Sequence, residues 1–395
     1  MTYPTISEYV ESILSAEDNF KELTNLRPVL KADGTPYMTS GNFAVVFKMR
    51  EEDTGKLFAV KCFLKEQEKR TESYKLISEE LEYVQSSYLV HIRYMEDELF
   101  VDSANSDQNE FPILLMDWVE GDPLDAYLRK NLYDEYARKM LAYRFCAMSS
   151  WLMSQPFAHG DLKPDNILVR EDGTLVLVDY DGMFVPAMKG QTARELGSPD
   201  FRHPLRDNTD FDEHIDDFTL LLILFSLKVV ALYPELKSDG DCILFSAEDL
   251  ANPTQSTVFA KLPSNLVDAE LMKLFGIFCC ALAQGNLDGI DNKLMRLERP
   301  EKKCNTTFIS ETKTIWISDI NIKFIRIDDF YISEKCISQE LWNYVINEKY
   351  SYQHLGLEIQ QYTMEEILKY MNTVKPEIVQ EVKEMRAMKI ILTTI

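Results

Sequence analysis

Between His159 and Gly182 the chain sets charged and amide side chains around two short apolar runs, and this stretch limits the possible folds more tightly than any other. It reads His-Gly-Asp-Leu-Lys-Pro-Asp-Asn-Ile-Leu-Val from 159 to 169 and Leu-Val-Leu-Val-Asp-Tyr-Asp-Gly from 175 to 182. Ile167 to Val169 and Leu175 to Val178 are apolar and rich in β-branched residues, and Arg170-Glu-Asp-Gly-Thr174 lies between them. That pattern predicts a β-hairpin with a Gly-containing turn. Such a hairpin holds Asn166 and Asp179 side by side at its open end. Asp161, Lys163, Asn166 and Asp179 fall within nineteen positions, 161 to 179 inclusive.

This string resembles the catalytic loop and metal-binding motif of protein kinases, H-R-D-L-x-x-x-N followed by D-F-G. The resemblance implies that Asp161 is the base receiving the substrate hydroxyl proton, that Lys163 stabilises the transferring phosphoryl group, and that Asn166 and Asp179 ligate two Mg2+ ions. The residue types suit that chemistry, because Mg2+ prefers hard oxygen ligands and bridges carboxylates to phosphates. His159 reads as a structural residue of the loop. The Arg that usually stands before the Asp is Gly160 here. In many protein kinases that Arg pairs with a phosphate on the activation segment, so its absence implies a protein that need not be switched on that way. Asp181 replaces the glycine of D-F-G, with Gly182 one position later. The change either adds a metal ligand or alters how the segment turns.

Upstream, Thr39-Ser-Gly-Asn-Phe-Ala-Val-Val-Phe47 resembles a kinase glycine-rich loop that keeps only Gly41, with Thr39 and Ala44 at the other two glycine positions. Small residues there let backbone N–H groups approach the phosphates of ATP. Lys61, fifteen residues beyond Val46, stands in Leu57-Phe-Ala-Val-Lys-Cys-Phe63, which resembles V-A-I-K. It is expected to contact the α- and β-phosphates. Tyr74, Ile77, Leu81 and Val84 recur at helical spacing and predict a helix within 67–84. The family pattern calls for a Glu there that orients Lys61. Glu80 has plausible spacing, with Glu72 and Glu79 competing. Phe111-Pro-Ile-Leu-Leu-Met-Asp-Trp-Val-Glu-Gly121 resembles the strand and hinge joining the two lobes. That puts Met116 at the back of the adenine pocket and the backbone of Asp117 to Val119 against the base.

Helical periodicity runs from Leu124 to Met153. Gly197 to Pro204 resembles the substrate-platform end of an activation segment, and Thr192 and Ser198 are candidate phosphorylation sites. Asp216-Asp-Phe-Thr-Leu-Leu-Leu-Ile223 resembles the central helix of the large lobe, with Asp216 bracing the catalytic loop. Residues 234–265 read as loop, and Leu271 to Leu282 as an apolar helix. Taken together, the motifs look closest to bacterial eukaryotic-like Ser/Thr kinases with H-G-D-L-K-x-x-N and D-Y-D-G-M.

The resemblance implies an α+β, bilobal protein-kinase-like fold, with a small β-rich N-lobe at 36–119 and a large helical C-lobe at 120–300. Residues 1–35 precede it as an N-terminal helical extension, whose Ile6, Tyr9, Val10, Ile13 and Leu14 follow helical spacing. Beyond the charged junction at 298–303, residues 305–395 read as a small α/β accessory domain. Alternation in Thr314 to Ser318 and Lys323 to Ile327 predicts strands there. Phe330 to Val345 resembles the opening of the formylglycine-generating, sulfatase-modifying domain. The likeness stops before that family's catalytic cysteines, so its activity does not carry over.

A net charge of −23 argues against binding nucleic acid or anionic membranes through a general basic surface. No apolar run reaches the roughly 18 residues of a membrane span, and the N-terminus lacks a basic region followed by an apolar one. The seven Cys form no CxxC pair and read as buried thiols in a reducing compartment, so a cytoplasmic protein is expected. The resulting expectation is an ATP- and Mg2+-dependent Ser/Thr protein kinase acting on a protein substrate, with a protein partner for residues 305–395. The alternatives are a nucleotide-binding pseudokinase that serves as a scaffold, and a small-molecule kinase of similar fold.

Overall fold

A computed structural model describes residues 2–65, 70–265, 268–284 and 297–301, together with the strands 312–317, 320–327, 330–333 and 390–391. Two helices open the chain, α1 (Ile6–Leu14) and α2 (Ala16–Asn19). A capping box starts α1: Glu8 N–H donates to Thr5 Oγ1 at 3.3 Å, and Thr5 N–H to Glu8 Oε2 at 2.7 Å. Tyr9 and Ile13 are buried, but Leu14 is 47% exposed, so the apolar stripe is narrower than its spacing implies.

The alternating segments around Lys61 form one antiparallel sheet. Its strands are β1 (Leu26–Pro28), β2 (Met38–Ser40), β3 (Ala44–Glu51), β4 (Leu57–Phe63), β5 (Ile92–Phe100) and β6 (Glu110–Asp117). The order is β1-β3-β4-β6-β5, with β2 also pairing with β3. The sheet's edge is therefore drawn from the first 35 residues, and Pro28 is tolerated because β1 is an edge strand. Central β4 is covered on both faces, which buries Lys61 among Val60, Cys62 and Phe63. Helix α3 (Arg70–Leu81) packs Tyr74, Ile77 and Leu81 against this sheet.

The second lobe is helical. The periodic run from 124 to 153 divides into α4 (Leu124–Lys130) and α5 (Glu135–Leu152). The break falls where Asp134 accepts the Ala137 N–H at 2.9 Å as an N-cap. A three-stranded sheet joins β7 (Asp122–Pro123), just before α4, to β8 (Ile167–Val169) and β9 (Leu175–Leu177), which follow α5. Strands β8 and β9 are the expected hairpin, with Ile167 opposite Leu177. Helix α6 (Asp217–Leu232) is apolar all round, and fourteen of its sixteen residues are buried, so it forms the axis of the lobe.

Residues 234–265 are not the loop that their composition implies. They contain α7 (Ala247–Ala251) and α8 (Thr257–Asn265). A Ser246/Asp249 capping box starts α7, and Phe245 and Phe259 join Phe225 and Phe278 in an aromatic stack. Helix α9 (Ala269–Ala283) completes the stack from the apolar run at 271–282. The result, for Met1–Glu301, is the two-lobed α+β arrangement that the resemblance implies. Among the described residues Cys62, Cys146 and Cys242 are buried, but Cys280 is exposed. Among the described residues, no helix is long and apolar enough to cross a membrane.

Residues 302–395 form a separate unit. Within it β10 (Thr312–Ile317), β11 (Ile320–Ile327) and β12 (Phe330–Ser333) run antiparallel, and β13 (Ile390–Ile391) pairs parallel with β12. From Glu334 on, the stretch resembling a sulfatase-modifying domain lies outside the described residues.

Candidate active site

The loop from His159 is built on a buried carboxylate. Asp216, 1% exposed at the head of α6, accepts the backbone N–H groups of His159 and, at 2.9 Å, Gly160. Burial pushes its carboxyl above the usual range, opposed by the charges of His159 and Arg206 and by those two N–H groups. His159 Nε2 lies 3.0 Å from the Val178 carbonyl, and its ring stands edge-on to Tyr180, so the histidine ties the loop to the segment that leaves the hairpin. Gly160 has φ +80, and a Cβ there would lie 1.9 Å from the Gly182 carbonyl oxygen. No side chain fits, which gives a steric reason why the Arg of the family pattern is missing.

Asp161 is held from three sides. Lys163 Nζ lies 2.8 Å from its Oδ2 and Asn166 Nδ2 3.2 Å from the same oxygen. The Ser198 N–H donates to Oδ1 at 3.1 Å, which draws the platform segment onto the loop. Burial alone would lower the Lys163 pKa. The hydrogen bond and charge of Asp161, with Asp179 and Asp165 nearby, raise it instead, so the ammonium stays charged. Asn166 also donates to the Asp161 carbonyl at 2.8 Å. With Nδ2 so engaged, its Oδ1 is the atom left to face a ligand.

Val178 N–H donates to the Asn166 carbonyl at 3.0 Å and closes the hairpin's end, bringing Asp179 to the same place as Asn166. Asp179 is the one described non-glycine residue with positive φ, +65. Partial burial raises its carboxyl pKa, with Lys61 opposing the shift and Asp181 adding to it. An amide oxygen and a carboxylate form a hard-oxygen donor set that fits Mg2+.

Lys61 arrives on β4 from 118 residues away, with its Nζ 3.2 Å from Asp179 Oδ1. It also pairs with Asp181 Oδ1 and lies 5.4 Å from the centre of the Tyr74 ring. Burial would lower its pKa, but the Tyr74 oxygen and the carboxylates of Asp181 and Asp179 more than reverse that. Glu80 is not among these partners. It lies six residues past Tyr74, about 240° round the helix, so α3 turns it away when Tyr74 faces the site. Glu72 and Glu79 are exposed.

The glycine-loop region is a tight hairpin between β2 and β3. The Gly41 N–H donates to the Ala44 carbonyl at 2.9 Å and is not available to a phosphate. A Cβ on Gly41 would meet nothing within 4 Å, so the space above it is open. Ala44 pairs with Phe63 and is nearly buried. At the hinge, Met116 pairs with Ala59 and Ile92. The N–H groups of Asp117 and Trp118 are taken by the His91 and Leu57 carbonyls, at 3.2 and 3.1 Å, and the Asp117 carboxylate by Lys56 at 2.7 Å. Among the described residues the Val119 backbone has no such bond, so of these three hinge N–H groups only its own is left without a backbone partner.

One residue of the site, Tyr74, escaped the sequence reading, and so did the partners of another, Asp181. Tyr74 sits at core spacing on α3 and gave no polar signal. Asp181 was visible as a departure from the family pattern, without a partner to explain it.

A family model of the protein kinase domain matches residues 36–250. The serine/threonine-protein kinase sgk-1 of Caenorhabditis elegans is 25% identical over 227 residues, 55% of this chain and 47% of that protein. The cAMP-dependent protein kinase catalytic subunit of Dictyostelium discoideum is 23% identical over 293 residues, 72% of this chain and 41% of that one. A serine/threonine-protein kinase of Drosophila melanogaster is 30% identical over 133 residues, 33% of this chain and 17% of its own. The chain thus spans less than half the length of each of these relatives.

Proposed function

The chain belongs to the protein kinase family, and from that premise we propose that it transfers the γ-phosphoryl group of ATP to Ser or Thr hydroxyls of a protein, with Mg2+. The observation that carries this reading is the Asp161 cluster, in which a carboxylate is fixed by Lys163 at 2.8 Å and Asn166 at 3.2 Å on a loop braced by Asp216. The relatives named as serine/threonine-protein kinases support the choice of acceptor.

In the proposed reaction a substrate hydroxyl oxygen forms a bond to the γ-phosphorus as the bond to the β-phosphate oxygen breaks. Asp161 orients the hydroxyl and takes its proton. Lys163, on the same carboxylate, balances charge on the moving group. Lys61 reaches the α- and β-phosphates. Met116 closes the back of the adenine pocket, and Val119 offers the base its backbone N–H. Asn166 and Asp179 would hold Mg2+, which would offset the negative charge of the phosphates. The Gly197–Pro204 platform, bonded to Asp161 through Ser198, favours a polypeptide acceptor over a small alcohol. Seven cysteines with no CxxC pair suit a reducing, cytoplasmic setting, and the unit from Lys302 on is a candidate surface for a protein partner.

Intact-mass spectrometry after incubation with Mg-ATP, with a basic protein as generic acceptor, tests the reading. The wild type should gain phosphate or transfer it, and Asp161→Asn should lower turnover by roughly 10²-fold or more. A loss below about tenfold would remove Asp161 from the role of base. One observation favours a second reading, a nucleotide-binding pseudokinase: Asp179, the proposed metal ligand, is already engaged by Lys61 at 3.2 Å. No transfer by the wild type, together with Mg2+-dependent thermal stabilisation by ATP, would select it.

A further inference from the structure

We propose that Asp181 is the counter-ion that positions Lys61, and that Tyr74 ties this pair to α3 in place of a helix glutamate. The inference deepens the kinase reading and rests on it. A buried ammonium needs a fixed anionic partner, because a buried charge left unpaired is strongly unfavourable. Lys61 has two carboxylates beside it, and they differ in how free they are for other work. The Asp179 side chain is 47% exposed and lies 3.2 Å from Nζ. That of Asp181 is 15% exposed, makes the closer contact, and also accepts the Tyr74 hydroxyl hydrogen. A carboxylate that must turn to a cation cannot also be the permanent partner of Lys61. Asp181 can be.

Helix α3 contributes no carboxylate to this network among the described residues. It presents Tyr74, 1% exposed, whose ring faces Lys61 and whose hydroxyl meets Asp181. The link from α3 to Lys61 is therefore a hydroxyl–carboxylate hydrogen bond in series with an ion pair. The negative charge rides on the segment that carries Asp179, so the lysine and the metal-binding carboxylate move as one unit. Asp181 touches neither substrate nor cofactor in this scheme and acts as a positioning residue.

The test is titration of the full chain with a fluorescent ATP analogue, with Mg2+ and again in EDTA, alongside KM for ATP and kcat. Asp181→Asn should weaken nucleotide binding and raise KM by about tenfold to a hundredfold, with and without Mg2+, since the lysine meets phosphate directly. Tyr74→Phe should cost about threefold to tenfold. The double variant Tyr74→Glu/Asp181→Asn, which returns a carboxylate to α3, should regain affinity over Asp181→Asn. If Asp181→Asn does not fold, the double variant carries the test, and a folded double variant that binds no ATP overturns the proposal. Wild-type affinity in Asp181→Asn overturns it as well. So does a change confined to the Mg2+ requirement, which would make Asp181 a third metal ligand. Asp161→Asn is the control: it should bind ATP like the wild type without transferring. A wild type that binds no ATP would sink the kinase reading itself, whatever Asp181 does.

Discussion

Asp161 and Lys61 are both needed by the proposed reaction, yet they are held by different means. Asp161 draws Lys163 and Asn166 from two and five residues away, and its loop hangs on Asp216, whose oxygens meet two successive backbone N–H groups. Lys61 takes its charge partners from 118 and 120 residues away, and they belong to a different lobe. The first arrangement lies within one lobe. The second exists only once the sheet, α3 and the segment after the hairpin have come together. Changes on the catalytic-loop side should therefore act on turnover, and changes on the lysine side on nucleotide affinity.

The sharpest way to break that contrast is at Gly160. An alanine there needs a left-handed backbone and puts a methyl 1.9 Å from the Gly182 oxygen. Left-handed geometry alone costs about 1–2 kcal/mol, and separating the two segments should bring the total to about 2–4 kcal/mol. We expect Gly160→Ala to lower kcat at least about 10²-fold, since a small displacement of a catalytic group has that effect. Chemical denaturation and steady-state kinetics would measure both. Turnover within threefold of the wild type would mean that the Gly160–Gly182 contact does not hold the loop, and the contrast with the Lys61 side would collapse.

The same division explains what the sequence could say. The hairpin, Asp161, Lys163, Asn166 and the bracing Asp216 lie in strings whose order fixes their geometry, and the structure brings them together as those strings imply. Glu80 misled because helical spacing identifies a buried face but not which residue on α3 meets Lys61, and that face carries Tyr74. The hinge was half legible: the strand was clear, but that Asp117 and Trp118 spend their N–H groups on His91 and Leu57 depends on strand pairing. The helices within 234–265 announced themselves only through a capping box, hidden among scattered Pro and Ser.

The N-terminal helix α1 reaches the lysine side through packing. The Tyr9 hydroxyl donates to the Phe63 carbonyl at 2.8 Å, and the Phe63 ring lies 5.3 Å from that of Tyr74. Tyr9→Phe removes one buried hydrogen bond and should cost about 1–2 kcal/mol of stability. KM for ATP should rise by less than about threefold, with kcat unchanged. A fall in kcat at constant KM would show that α1 acts on the catalytic loop instead, against the separation drawn above.

The smallest effect tests the catalytic side by pH. His203, in the platform, is buried against Phe218 at a ring separation of 4.7 Å, with the Leu205 N–H donating to Nδ1 at 3.1 Å and Nε2 3.3 Å from the Leu282 carbonyl. That pairing uses the neutral ring with its hydrogen on Nε2. Burial holds its pKa below the ordinary 6.5, with the Leu282 and Ala281 carbonyls and Asp210 opposing. The unfolded chain therefore takes up the proton first as pH falls. The stabilisation is complete above the unfolded pKa and is lost as pH drops through the folded one, at no more than about 1.4 kcal/mol per pH unit. Thermal melts between pH 7.5 and 5.5 should show a loss of about 1 kcal/mol in the wild type that is smaller in His203→Gln. Because Ser198 joins the platform to Asp161, kcat should fall over the same range more in the wild type than in the variant, while ATP affinity changes alike in both. An ATP affinity that followed His203 would tie the platform to the Lys61 side and undo the distinction.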